Sequence, residues 1–226
     1  MTVTIAEELL LLAYSDDKGK PLIDTMYLDP AVAGALLAEL AVRDRVELTG
    51  RKLMGRKLVV KDPTPLGDEE LDAVLALMAG RTSDRSPSWW VQKLQSHKLR
   101  NRLLSRLAAR GVLTERRGRA LGLFPVTRWP EAFPGVEADV RERASAVLAG
   151  AGPDDRTAAL IALVHAAGLS RKAFPGADRK RLKHIAEGAW AAAAVAQAIA
   201  AINSAVVAAN SSSGGGDGGG GGGGGG

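Results

Sequence analysis

Apolar residues recur along this chain at helical spacing, interrupted by two short stretches that alternate like strands. Thr4 stands three residues before Glu7 and just ahead of the apolar run at 9–12, a capping-box start to a first helix. Residues 15–21 read as a turn. From Pro30 a second helix runs through Val32, Leu36, Leu37, Leu40 and Ala41. Residues 45–49 alternate like a strand and 57–60 return after the glycines at 50 and 55; 62–67 is a loop and 68–78 an amphipathic helix. The order then recurs, with a helix end at 104–110, a strand at 111–114, a turn at 116–119 and a return at 121–126. The stretches LAELAVRDRVELT (37–49) and LSRLAARGVLT (104–114) look like two copies of one helix–hairpin unit. Prolines 125, 130 and 134 close this part, and helices follow at 137–148, 154–167 and 179–209.

Within the last of these, residues 188–210 carry no charge. Their length suits a membrane span, but most are alanine, with Gln197, Asn203 and Ser204 among them, so a buried terminal helix is the expectation. The organisation expected is one domain over 1–209 and a flexible Gly/Ser-rich tail over 210–226, which has little apolar surface to bury.

Charge sharpens this picture more than composition does. The net charge is +5, yet residues 93–119 alone hold nine Lys and Arg, and Glu115 is the only acid between 97 and 126. That is a local electrostatic footprint. The chain has no cysteine, which excludes disulfides, thiolate metal sites and a cysteine nucleophile. The N-terminus lacks a basic segment and a small-residue cleavage site, so a cytoplasmic protein is expected. The three histidines, His97, His165 and His184, are not at metal-ligand spacing, and no metal site is expected. His165, inside an apolar helix, is expected to be a hydrogen-bonded core residue. No nucleophile elbow, P-loop or dinucleotide fingerprint is present, and the Asp pairs at 16–17 and 154–155 read as turn and cap residues. Nothing in the chain supports catalysis or calls for a cofactor.

On a helix, residues 97, 100 and 101 share one face, with Arg102 and Arg106 on a neighbouring face and Leu99, Leu103, Leu104 and Leu107 opposite. Guanidinium forks match phosphate geometry. Just beyond lies Leu121-Gly122-Leu123-Phe124, apolar where a hairpin loop should be polar; alternatively this is the returning strand, with Leu123 packed inward. Trp89, Trp90 and Trp129 are near in sequence, and tryptophan favours membrane interfaces. These features fit an anionic lipid surface, a nucleic acid bound through a winged-helix-like unit, or an acidic protein.

TIAEELLLLAYSDDKGK, GALLAELAVRDRVEL, DPTPLGDEELDAVL, LRNRLLSRLAARGVLT and RTAALIALVHAAGLSRKAF resemble, in order, the successive blocks of the Golgi phosphoprotein 3 (phosphoprotein-34-type) family over roughly residues 3–208. The Ala-, Arg- and Gly-rich composition resembles a bacterial member. The resemblance implies a mainly α-helical single domain with short β-hairpins, one of them membrane-facing. It also implies a non-catalytic peripheral membrane adaptor that binds phosphatidylinositol 4-phosphate through a Trp and several Arg. For a bacterial member, the surface expected is an anionic phospholipid or phosphoinositide on the inner face of the membrane, with nucleic acid not expected and the Golgi partners not transferable. The family's paired basic positions fall on His97 and Arg100, with Arg102 also matching. Its Trp position is occupied by Asp24 and a further Arg position by Ala33, so that half of the pocket is substituted. Leu121, Leu123 and Phe124 fall where the family's hairpin inserts.

Overall fold

The computed structural model describes residues 3–50, 55–120, 123–187 and 194–213. Over these the chain is mainly α-helical: α1 (Ile5–Ala13), α2 (Thr25–Val42), α3 (Glu69–Ala79), α4 (Pro87–Leu94), α5 (His97–Ala109), α6 (Gly135–Leu148), α7 (Asp155–Ala166), α8 (Ser170–Ala173), α9 (Arg179–Ala186) and α10 (Ala194–Ser213). Two separate antiparallel hairpins complete it, β1 (Val46–Thr49) with β2 (Lys57–Val60), and β3 (Arg116–Ala120) with β4 (Phe124–Arg128).

The first helix starts where its capping box places it, with Thr4 and Glu7 satisfying each other's backbone amides. α2 starts earlier than Pro30. Asp24 caps it, accepting from the Met26 amide at 2.9 Å, and Pro30 lies inside the helix near its first turns, where only one ladder bond is lost. α4, which carries Trp89 and Trp90, spans only eight residues, with Ser86 as its cap and Pro87 in its first turn, and no helix is expected there from the sequence. The helix expected over 179–209 is α9 and α10, with 188–193 outside the described residues. α10 continues through Ser213, and the Ser211 and Ser212 hydroxyls bond back to the carbonyls of Val207 and Ala209.

The central element is α2, buried from residue 30 to 41 and packed by α1, α4, α7 and α10. It is also long and apolar enough to cross a membrane, but 72% of that window is buried inside the protein, as a core helix requires. α10 is the buried terminal helix expected, laying Ile202, Ala205, Val206 and Ala209 against the core. Two of its polar residues tie it to neighbouring elements, Asn203 donating to the Ala186 carbonyl and Asn210 to that of Ala166. Gly34 lets these helices meet: a Cβ there would lie 2.6 Å from Val206 Cγ2 and 3.1 Å from Leu163 Cδ2. Gly34→Leu is therefore expected to cost about 1–3 kcal/mol by overpacking, read from the midpoint of urea unfolding. An unchanged midpoint would contradict this packing.

Both helix–hairpin units end their helix alike. Arg43, Asp44 and Arg45 donate to Glu39, Ala41 and Leu40, as Arg110, Gly111 and Val112 donate to Arg106, Ala108 and Leu107. Asp44 and Gly111 both take positive φ, at 57° and 74°. Beyond this shared turn the units diverge. Val46 opens β1, whereas Val112 and Leu113 are buried and only Leu113 forms a bridge, to Glu131.

Buried acids hold the layers together. Glu7 and Glu8 of α1 and Glu39 of α2 are each at most 2% exposed. Arg106 and Arg110 of α5 reach Glu7, Arg143 of α6 reaches Glu8, and Arg156 of α7 bridges Glu8 and Glu39. Burial pushes the Glu8 carboxyl above its ordinary value, against the pull of Arg156 and Arg143.

Candidate functional site

Ser96 caps α5, accepting from the Lys98 and Leu99 amides, and Leu99, Leu103, Leu104 and Leu107 face the core as their spacing predicts. The arginines of α5 are not free, and Arg100 lies on the leucine side instead of sharing an outer face with His97 and Asn101. Arg100 is only 8% exposed and pairs with Asp29 of α2, and it also bonds the Tyr14 phenol. Arg102 makes a fork with Glu70 of α3 at 2.5 and 2.8 Å. Arg106 reaches Glu7 at 2.7 Å and the α3 cap Asp68 at 2.9 Å, and Arg110 reaches Glu7 at 3.3 Å. The acids missing from the local sequence arrive from α1, α2 and α3.

His97, Lys98, Asn101 and Arg102 nevertheless remain exposed and line an open groove of about 530 Å³, with Glu69 and Glu70 on its other wall. Arg100 lies buried behind this face. Asp24 and Ala33 do not line the groove: the Asp24 carboxylate caps α2, and Ala33 is buried in the core. A phosphate entering here would meet two carboxylates beside the cations.

The second hairpin is more polarised. Residues 116–119, expected as its turn, are the strand β3, in register with β4 from Arg116↔Arg128 to Ala120↔Phe124. The reversal is thereby moved toward the apolar run, because the ladder continues from Arg116↔Arg128 up to Ala120↔Phe124. Leu121 and Gly122 lie outside the described residues. Leu123 is 78% and Phe124 62% exposed, so Leu123 does not pack inward as a returning strand would require.

One face of the hairpin carries Phe124, then Val126, then the cross-strand pair Arg116 and Arg128; the other carries Arg117, Arg119 and Pro125. Arg117 pairs with Glu115 at 2.7 Å. Among the described residues no acid pairs with Arg116, Arg119 or Arg128. Like charges directly opposite each other destabilise a strand pair, so Arg116 and Arg128 favour an external anion between them. Four residues of strand separate Phe124 from Arg128, roughly 13 Å. The hairpin thus runs from an apolar tip to a cationic base.

That base is anchored. Trp129, buried, donates its amide to the Gly19 carbonyl at 2.9 Å, and Glu131 donates to Asp16 at 2.8 Å. Gly19 takes φ 58°, and a Cβ there would meet the Pro130 nitrogen at 2.2 Å, so glycine is required both by conformation and by space. The turn at 15–20 therefore fixes where the hairpin points. Trp129 and Trp90 are core residues, while half-buried Trp89 stacks under Arg81 at 4.5 Å and Arg85 at 5.4 Å.

Beside this anchor, carboxylate oxygens of Asp16, Glu131 and Glu137 lie within 4.8 Å of one another. A search for His and Cys pairs in sequence misses this trio, because a turn, a loop and a helix each supply one member. Burial pushes the Glu137 carboxyl up to about 7; Arg141 opposes the shift, while Asp16 and Glu131 reinforce it. The folded protein keeps a proton on Glu137 that the unfolded chain releases near 4.5. This stabilisation is complete below about pH 4.5 and is lost as the pH rises through 7. The urea midpoint is expected to fall between pH 5 and pH 8, and Glu137→Gln to flatten that decline. A native midpoint that stays level would contradict it.

His165, expected in the core, is exposed on the last turn of α7, with Ser170 Oγ 3.5 Å from its Nδ1. The apolar residues that surround it in sequence occupy the other faces of the helix. The Golgi phosphoprotein 3 (GPP34) family model matches residues 5–202 of the chain, from α1 into α10.

Proposed function

The chain belongs to the Golgi phosphoprotein 3 family, and from that premise we propose that it is a non-catalytic peripheral membrane protein that attaches to anionic lipid surfaces. The observation that carries this reading is the β3–β4 hairpin, with exposed Leu123 and Phe124 at its tip and, behind them, Arg116, Arg119 and Arg128, which no acid among the described residues pairs. The tip enters the acyl boundary, and the arginines then lie at phosphate depth. Each basic residue near an anionic bilayer surface contributes about 1 kcal/mol. The reversible binding this implies suits a peripheral protein.

The family register assigns His97, Arg100 and Arg102 as headgroup contacts; Arg100 is buried against Asp29, so His97 and Arg102 are the two of them that line the groove. Glu69 and Glu70 line the same groove, and the family's Trp and Arg positions hold Asp24 and Ala33. Phosphatidylinositol 4-phosphate is therefore one acceptable headgroup rather than a required one. The nucleic-acid alternative is not favoured, since the arginines of α5 are paired with Asp29, Glu70, Glu7 and Asp68.

Flotation with three vesicle compositions tests the reading: phosphatidylcholine alone, and the same lipid carrying either phosphatidylserine or phosphatidylinositol 4-phosphate at matched charge. Retention is expected on both anionic compositions and not on the neutral one. Equal recovery on anionic and neutral vesicles would remove the proposal.

A further inference from the structure

The least neutralised cations around a cavity are not on α5. Between His165 and Glu187 the chain carries Arg171, Lys172, Arg179, Lys180, Arg181 and Lys183 against two acids, Asp178 and Glu187. Asp178 is used as the α9 cap, accepting from the Lys180 amide at 3.0 Å. Glu187 lies 3.7 Å from Lys183 with both side chains largely exposed, a weak surface pair. Lys172 and Arg181 are held by backbone carbonyls. No acid among the described residues pairs with Arg171 or Arg179.

These side chains surround a groove of about 780 Å³ between the end of α7, α8 and α9. His165, Arg171, Arg179 and Lys183 form its rim, and Phe174 and Leu182 are buried beneath it. Arg179, Leu182 and Lys183 stand at i, i+3 and i+4 on α9, so one helix presents two cations and part of the apolar floor to the same space. The volume lies in the range of small-molecule sites, and an apolar floor with a few convergent polar groups is their usual composition.

We propose that this groove is a second anion site, distinct from α5 and the hairpin, that takes a soluble phosphomonoester attached to an apolar body. Three cations on the rim match a group that carries up to two negative charges, and guanidinium forks match its oxygens. The floor supplies contact for the body, which inorganic phosphate lacks. Lys183 is released from Glu187 at little cost, because that pair is solvated.

Isothermal titration of the full chain with 1-naphthyl phosphate, inorganic phosphate and 1-naphthol tests this. The aryl phosphate is expected to bind at least tenfold more tightly than either fragment. Arg179→Gln with Lys183→Gln should lose at least tenfold of that affinity, and Arg171→Gln on α8 should weaken it independently. Lys57→Gln, at the exposed start of β2, should leave it unchanged. Binding that is absent, or equal in the wild type and both groove variants, would overturn the proposal. So would loss of flotation on phosphatidic acid vesicles in the groove variants with no change in aryl phosphate binding, which would make the surface a membrane contact. These side chains are exposed, so matching circular dichroism spectra suffice to show that the variants fold.

Discussion

Leu123→Ser together with Phe124→Ser is expected to reduce binding to anionic vesicles on the order of 100-fold while leaving the unfolding midpoint unchanged. The two effects separate because both side chains face solvent and make no core contact. Fully burying a Leu or Phe side chain yields about 1.5–3 kcal/mol. Partial insertion of two such residues gives roughly 3 kcal/mol, or two decades in affinity. Sedimentation against phosphatidylserine vesicles measures the loss. A double variant that binds like the wild type would mean that the tip stays in water and the charges alone attach the protein. A midpoint that fell with it would place Leu123 in the core after all.

Glu39→Ala is expected to have the largest effect on stability, about 3–5 kcal/mol, the range for removing one partner of a buried ion pair. The Glu39 carboxylate accepts from the Ile5 amide at 2.7 Å, from Arg43 at 2.7 Å and from Arg156 at 2.8 and 2.9 Å. Its loss leaves an amide without its acceptor and strips Arg156 of one of its two carboxylates, in a helix packed by α1, α4, α7 and α10. Against a total of roughly 5–15 kcal/mol for a domain, this is a large fraction. Urea unfolding monitored by tryptophan fluorescence reads it, and a decrease below about 1 kcal/mol would show the network to be dispensable.

That network also marks where the sequence stopped being informative. Helix starts were legible from local chemistry: Thr4 with Glu7, Asp68 before α3 and Asp154 before α7 all cap as their residue types suggest. The core side of α5 followed from the spacing of its leucines. What could not be read was the fate of its arginines, because Asp29 is 71 positions from Arg100 and Glu7 is 99 from Arg106. The only early sign was that Glu7 and Glu8 interrupt an otherwise apolar helix, which is buried on every side.

The hairpin shows a different limit. Its apolar run and its arginines were visible, but register was not, since moving the reversal from 116–119 to between Ala120 and Phe124 converts residues 116–119 from turn to strand. That displacement puts Leu123 and Phe124 at the exposed end instead of in a packed return. His165 was misplaced for a related reason. An apolar neighbourhood in sequence says little about the one face of α7 that looks outward.

The central claim is that the β3–β4 tip enters an anionic bilayer, and the chain's lack of cysteine allows a direct measurement. Leu123→Cys labelled with an environment-sensitive nitrobenzoxadiazole dye reports the polarity at the tip. On phosphatidylserine-containing vesicles its emission is expected to rise several-fold and shift to the blue, with no change on phosphatidylcholine alone. Emission that stays at its aqueous value while the same labelled protein floats with the anionic vesicles would contradict the account.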